Sequence, residues 1–311
     1  MRSLIIDCDP GHDDAVAILM AMAHPESICL QAITTVCGNN YVSNSTRNAQ
    51  IVCTAAGIGV PIAQGAARPL ISAPMVTDQF HGKTGMDGHS LKPDPRYTVD
   101  SRCAVELLRD LLRDADSPVS VAALGPLTNL ALLLRTWPEL GEKIEVISLM
   151  GGGIAHGNVT KYAEFNILED PEAAEIVYTS GVPVVMSGLD VTEQVSLRPS
   201  EFEFLRKKGT VGQFFCELMD FYGRSAPIFG ADGCVMHDPI SIACLLEPKL
   251  FSGRRGNVSV VLSGEERGRT IFKEDPNGSV LVLEQTDAAH AGELIVQSID
   301  FLCSPGGVSS R

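Results

Sequence analysis

No stretch of this sequence is apolar for long enough to cross a bilayer: the longest uninterrupted run, residues 15–23, is nine residues, against about 20 for a spanning helix. The N-terminus lacks the basic start, apolar stretch and cleavage site of a secretory leader. No CxxC pair occurs among the nine cysteines, whose count is odd and most of which lie inside apolar segments such as Ile28-Cys29-Leu30 and Ala243-Cys244-Leu245. A disulfide framework is therefore not expected, and free thiols in a reducing cytosol are. Basic residues are scarce, 24 against 38 acidic, for a net charge of −14. Such a field repels nucleic-acid backbones and anionic membranes, so neither is an expected partner; a neutral or cationic small molecule is easier to accommodate. No linker rich in Pro, Gly or Ser, no internal repeat and no low-complexity segment divides the 311 residues, so residues 1–311 read as one continuous domain. GxGxxG does not follow the first strand, which disfavours dinucleotide binding. No Lys-Ser/Thr follows Gly151–Gly153, which disfavours a P-loop.

What is present is alternation. Short apolar runs at 4–8, 28–36, 118–124, 144–150 and 183–186 read as buried parallel strands. Helical segments fall between them at 13–23, 44–56, 100–114, 127–135 and 171–180. His24-Pro25 ends the first helix; Ser43 or Asn44 is the expected cap of the second and Gly57 its stop. After residue 198 the pattern turns helical at 201–208, 212–222 and 237–246. It then returns to strands at 257–262, 269–273 and 279–284, and closes on a helix at 288–302. This order predicts an α/β fold: an open, mostly parallel, doubly wound (Rossmann-like) sheet flanked by helices. Residues 64–99, rich in Gly, Pro, His and Asp, read as a long loop near a ligand.

Four aspartates fall within eight residues where the first strand meets the first helix: Asp7, Asp9, Asp13 and Asp14. Like charges this close repel unless a cation sits among them, and clustered carboxylates suit a hard one. Ligands in open α/β sheets bind beyond the carboxyl ends of the strands. Cys37-Gly38-Asn39-Asn40, Gly125-Pro126 and Met150–Gly153 close three further strands there. Asn158, Glu164 and Asn166 form a short run of amides and a carboxylate, the mixture that polyol recognition uses. Met236-His237-Asp238-Pro239 places an imidazole beside another carboxylate at the start of a helix.

Taken together, Asp7–Ala15 (DCDPGHDDA) resembles the signature of the nucleoside hydrolases, the inosine-uridine-preferring family. AITTVCGN at 32–39, HGKTG at 81–85, GPLTN at 125–129, LMGGG at 149–153, AEFN at 163–166, DPEAA at 170–174, GLDVT at 188–192 and VMHDP at 235–239 support it. The similarity runs collinearly from about residue 3 to about 300; each stretch is weak alone, and their order makes them specific. The resemblance implies the nucleoside hydrolase fold and Ca²⁺-dependent cleavage of the N-glycosidic bond of ribonucleosides, purine and/or pyrimidine, in nucleoside salvage. It implies a cytoplasmic homo-oligomer, a tetramer or dimer, with a small-molecule ribonucleoside as its partner. By matching positions, Asp9, Asp14, Asp238 and the Leu124 carbonyl hold the Ca²⁺, and Asp9 doubles as general base. Asp13 and Asn166 take the 2′-hydroxyl, and Asn158 and Glu164 the 5′-hydroxyl. Phe165 belongs to the same substrate-binding run, and Asn39, Asp238 and the Met150 backbone complete the ribose pocket. His237 and His81 face the base, His237 as a catalytic group. Within 222–234, Tyr222 and Phe229 are candidates to stack on the base, with Gly223 and Gly230 suggesting a flap.

Several residues carry blander readings. Asp7 is expected to bond backbone amides in the turn, Asp190 to shape the turn after its strand, and His12 not to be a ligand. His24, His89, His156 and His290 read as surface or loop histidines; Trp137, Leu140, Met20 and Met22 read as packing. A pyrimidine-specific hydrolase is the nearest alternative. A phosphatase of the haloacid-dehalogenase type and a catalytically silent nucleoside-binding protein are more distant. The first wants Thr or Val where Gly11 stands, and the second should lack one of Asp9, Asp14 or Asp238.

Overall fold

In the computed structural model, which describes residues 1–76, 79–224 and 232–304, the strands are β1 Arg2–Cys8, β2 Ile28–Thr35, β3 Ile62–Gln64, β4 Val119–Ala123, β5 Ile144–Met150, β6 Val184–Ser187, β7 Ser196–Leu197, β8 Cys234–Val235, β9 Phe251–Val260, β10 Thr270–Glu274 and β11 Val280–Thr286. The helices are α1 His12–Ala23, α2 Val42–Ala56, α3 Ala104–Asp114, α4 Thr128–Thr136, α5 Phe165–Glu169, α6 Pro171–Tyr178, α7 Leu189–Thr192, α8 Pro199–Phe202, α9 Gly209–Tyr222, α10 Asp238–Leu246 and α11 Ala288–Cys303. Nine strands form one sheet in the order β10-β9-β11-β6-β5-β4-β1-β2-β3. From β11 to β3 every neighbouring pair is parallel, and β9 joins β10 and β11 antiparallel at one edge. This is the expected α/β architecture.

The strand order explains where a ligand goes. From β1 the chain winds outward through β2 to β3; from β4 it winds the other way through β5 to β6. The adjacent strands β1 and β4 therefore flank the switch point, where the loops leaving their carboxyl ends diverge and open a crevice. Alternation along β1 sends Leu4, Ile6 and Cys8 into the core that α1, α2, α9, α10 and α11 share, and Ile5 into the opposite core with α3, α4 and α6. Helix α1 is buried along its whole length, which suits its nearly unbroken apolar sequence.

Boundaries differ from the sequence reading where side chains divert the backbone. Helix α3 starts at Ala104, not at 100, because Asp100 spends its carboxylate on the Arg102 amide and guanidinium in a preceding turn. Gly57 ends α2 at φ +70° as expected, but the cap is Tyr41, with Asn44 inside the first turn and donating to Asn40 Oδ1. The short elements β3, α5, α7 and the β7–β8 pair were not anticipated. All nine cysteines are free. Among the described residues no helix is long and apolar enough to cross a membrane.

Candidate active site

The crevice at the switch point holds a cavity of about 430 Å³. Asp13, Asn39, His81, Leu124, Met150, Asn158, Glu164, Phe165, Asn166, His237 and Asp238 line it, so residues spread over 225 positions of sequence meet there. Asp9 and Asp14 lie immediately behind, joined to the wall by Asn39: its amide N–H donates to Asp9 Oδ2 at 2.5 Å and its side chain to Asp14 Oδ2 at 3.3 Å.

The acidic floor is built by β1 and by the N-termini of α1 and α10. Asp14 accepts from the Gly11 and Asp9 amides, which fastens the turn between β1 and α1. Oxygens of Asp13, Asp14 and Asp238 lie within 4.8 Å of one another. Asp13 thus joins the tightest group, although the sequence reading gave it to the ribose, and Asp9 stands beside that group. All four carboxyls are buried. Burial pushes Asp13 up to about 7 and Asp14 up to about 6, the charge of Asp14 adding to the first. Burial, then neighbouring aspartates, hold Asp9 and Asp238 well above the usual carboxylate range.

The donor set fits a hard divalent cation. Asp9 Oδ1 is buried without a hydrogen-bond partner among the described residues, a cost that a ligating cation would offset. Glycines close around that carboxylate: a Cβ at Gly38 would lie 2.1 Å from Oδ2, and one at Gly125 2.4 Å from Oδ1. The backbone has come as near to Asp9 as it can.

Asn166 ties two strand ends together, its side-chain amide donating to the Leu124 carbonyl at 2.9 Å and the Met150 carbonyl at 3.1 Å. Glu164 caps α5 by accepting from the Asn166 and Ile167 amides, and also accepts from Gly152 N at 2.8 Å. Burial nevertheless raises it to about 7. Asn158 Oδ1 accepts from Phe165 N.

Several readings are corrected by these contacts. Among the described residues Asp7 bonds no backbone amide; its carboxylate accepts from the Thr34 hydroxyl on β2 and the Asn129 side chain on α4. Asp190 does shape a turn, accepting from the Ile154 and Ala155 amides. His12 makes contacts that its place in the motif does not indicate. Its Nε2 lies 2.8 Å from the Asp87 carbonyl and its Nδ1 3.0 Å from Nδ1 of His81, and its ring stacks on His81, Phe221 and Tyr222. His24 and His89 lie in loops, as expected, and both are half-buried, His24 bonding Ser298 and His89 packing on Phe214. Tyr222 lines the cavity; Phe229 and Gly230 lie outside the described residues.

Met75, Gln79, Phe80 and Val159 also line the cavity and were not singled out. The first three belong to the 64–99 loop, and its fastening is visible. Leu70 N donates to Asp170, and Met75 N donates to both oxygens of Glu169 at 3.0 and 3.1 Å. Burial raises Glu169 from 4.5 to about 7, opposed by the Met75 bond and reinforced by Asp170. The folded state therefore holds a proton that the unfolded state has lost between about pH 4.5 and 7, and stability falls as pH rises through that window. Glu169→Gln keeps an acceptor for Met75 and cannot ionise. We expect its melting temperature to match the parent at pH 5 and exceed it by a few degrees at pH 8; an unchanged difference across that range in calorimetry would refute the assignment.

Comparisons with known proteins identify the family. The family model described as "Inosine-uridine preferring nucleoside hydrolase" matches residues 4–293. A pyrimidine-specific ribonucleoside hydrolase RihA of Shewanella baltica is 45% identical over 258 residues, 81% of this chain and 80% of that protein. RihA of Salmonella typhimurium is 41% identical over 290 residues, 90% of this chain and 93% of its own. Among solved structures, the purine-preferring ribonucleoside hydrolase from Gardnerella vaginalis superposes with a TM-score of 0.92 at 31% identity, covering 97% of this chain and 99% of that one. Matches that span the whole sheet and its strand-end loops leave one conclusion: the chain belongs to the inosine-uridine preferring nucleoside hydrolase family, glycosidases that act on N-glycosidic bonds.

Proposed function

We propose that this protein hydrolyses the N-glycosidic bond of pyrimidine ribonucleosides, releasing ribose and the free base. The observation that carries the reaction is the meeting of four buried carboxyls with the amides of Asn39, Asn158 and Asn166 around one cavity at the switch point. Among the described residues no lysine or arginine lines the cavity, whereas a phosphate-directed site sets such a cation against its anion. The pyrimidine preference, narrower than the broad purine-and-pyrimidine expectation, is supported by the RihA relatives at 41–45% identity. The purine-preferring neighbour is more distant, at 31%.

In this reading Asp9, Asp14, Asp238 and the Leu124 carbonyl hold a Ca²⁺, with Asp13 close enough to share in the charge balance. The bound cation would supply Lewis acidity and a fixed positive charge beside the ribose. Asp9 takes a proton from the attacking water, for which its unpartnered Oδ1 is suited. The water oxygen bonds to the anomeric carbon while the bond to the base nitrogen breaks, its electron pair leaving with the base. Positive charge that builds on the ribose is met by the surrounding carboxylates and amide carbonyls. Asp13 and Asn166 hold the 2′-hydroxyl, Asn158 and Glu164 the 5′-hydroxyl, and Asn39 and Met150 close the pocket around Phe165. His81 and His237 face the base; burial holds His237 down to about 4 and His81 well below the usual range, so both act as neutral rings. The same reading assigns residues 1–311 to one domain, and the enzyme to nucleoside salvage in the cytoplasm as a homo-oligomer.

A reducing-sugar assay over uridine, cytidine, inosine, adenosine and guanosine tests this. We expect kcat/KM for uridine or cytidine to exceed that for every purine nucleoside by roughly tenfold or more, and 2′-deoxyuridine to be a poor substrate. Purine nucleosides cleaved as fast as uridine would overturn the pyrimidine reading.

A further inference from the structure

The GLDVT stretch that forms α7 does more than turn the chain. Gly188 caps the helix where a Cβ would stand 2.9 Å from the Gly152 carbonyl. Asp190 holds the Ile154 and Ala155 amides at 2.7 and 2.9 Å. Neither contact involves Thr192, which is fully buried, with its hydroxyl 2.9 Å from Nδ1 of His237. The pair is braced from both sides. Met236 N donates to the Val195 carbonyl at 2.9 Å. Just beyond, β7 pairs with β8, Ser196 opposite Val235 and Leu197 opposite Cys234. The segment that leads into His237 is thus registered on the segment that follows Thr192.

The direction of this hydrogen bond follows from satisfaction. Among the described residues the Thr192 hydroxyl makes no other one. If His237 donated from Nδ1, a buried O–H would be left without an acceptor, so the hydroxyl donates and Nδ1 accepts. The proton of the neutral ring is then on Nε2, the nitrogen turned away from α7, on a side chain that lines the cavity.

We propose that Thr192 is a positioning residue that holds His237 in its Nε2–H tautomer, so that a neutral imidazole donates a hydrogen bond to the polar edge of the departing base. Negative charge builds on that edge as the base leaves with the glycosidic electron pair, and a fixed donor is worth most there. His237 keeps its proton throughout. The inference rests on the hydrolase reading above and adds to it a residue that touches neither ribose nor cation.

Thr192→Val preserves shape and removes the hydroxyl; Thr192→Ser keeps it. With uridine we expect Thr192→Val to lose roughly 10- to 100-fold in kcat with little change in KM, and Thr192→Ser to stay within about threefold of the parent. With a 4-nitrophenyl ribofuranoside, whose leaving group departs as a stable anion, the Thr192→Val loss should be at least about tenfold smaller than with uridine. Equal losses on both substrates, or none on uridine, would overturn the proposal. Imidazole ¹⁵N NMR of the parent protein, with the His237 signals identified by their disappearance in His237→Gln, provides a readout free of turnover. The Nε2–H tautomer is expected, and Nδ1–H sinks the proposal. If the parent cleaves no riboside at all, the hydrolase reading fails, and the NMR result still decides the Thr192–His237 contact.

Discussion

Asp9→Asn should lower kcat toward uridine by roughly 10³-fold or more while the protein still folds. The side chain is isosteric, which matters because Gly38 and Gly125 leave no room for anything larger around it. An asparagine oxygen still accepts from Asn39 N, so the tie between the β1 and β2 loops survives. What is lost is the charge. The amide cannot take a proton from water, and it is a poorer partner for a cation than the unpartnered carboxylate oxygen it replaces. Without a cation, an ionised Asp9 is a burden on the fold, because burial and Asp14 both disfavour its charge. The chelated variant should therefore melt no lower than the chelated parent. Reducing-sugar release and a circular-dichroism melt together check this. Near-parental turnover in a folded variant would remove Asp9 from the mechanism, whereas a variant that fails to fold would make the residue structural.

The central fold was legible because its signals are local. Strands β1, β4, β5 and β6 are short apolar runs closed by Gly, Pro or Asp, and the helices between them carry enough length to show a period. Strand β3, three residues long, and the two-residue β7 and β8 carry no period to read; pairing across the fold defines them. The acidic half of the site was legible for a related reason. Strand ends place their residues predictably, so Asp9, Asn39, Leu124 and Met150 could be brought to one rim from topology alone. Part of the remaining wall was not. Met75, Phe80 and Val159 come from loops with no repeating pattern. His12 and Thr192 act on partners 69 and 45 positions away, and nothing in the local sequence of either announces that contact. Asp7 shows the converse: its place in the motif was plain, but only the β1–β2 register and the seating of α4 reveal that Thr34 and Asn129 are what it binds.

Removing the cation should abolish turnover and leave a protein whose stability depends on pH in a defined direction. In the chelated protein burial pushes Asp13 up to about 7 and Asp14 up to about 6, and burial with neighbouring aspartates raises Asp9 and Asp238, all from an ordinary value of 3.8. A raised carboxyl means that the folded chain holds protons the unfolded chain has released. Stability of the chelated protein therefore falls as pH rises from about 4 to 7, and the loss is complete only above the folded values. A divalent cation reverses the balance: it favours the ionised carboxylates, and protons compete with it at low pH. The melting temperatures of Ca²⁺-loaded and chelated protein should thus lie close together at pH 5 and separate by about 5 °C or more at pH 8, where ligand at 100 times its Kd contributes about 2.7 kcal/mol. Calorimetry across that range, with uridine hydrolysis followed in the same buffers, checks both halves. Added Ca²⁺ should restore the rate after chelation, and Mg²⁺, which demands stricter octahedral geometry, should restore less. Full activity in excess chelator, with melting curves that coincide at pH 8, would mean that the four aspartates are balanced by something other than a metal.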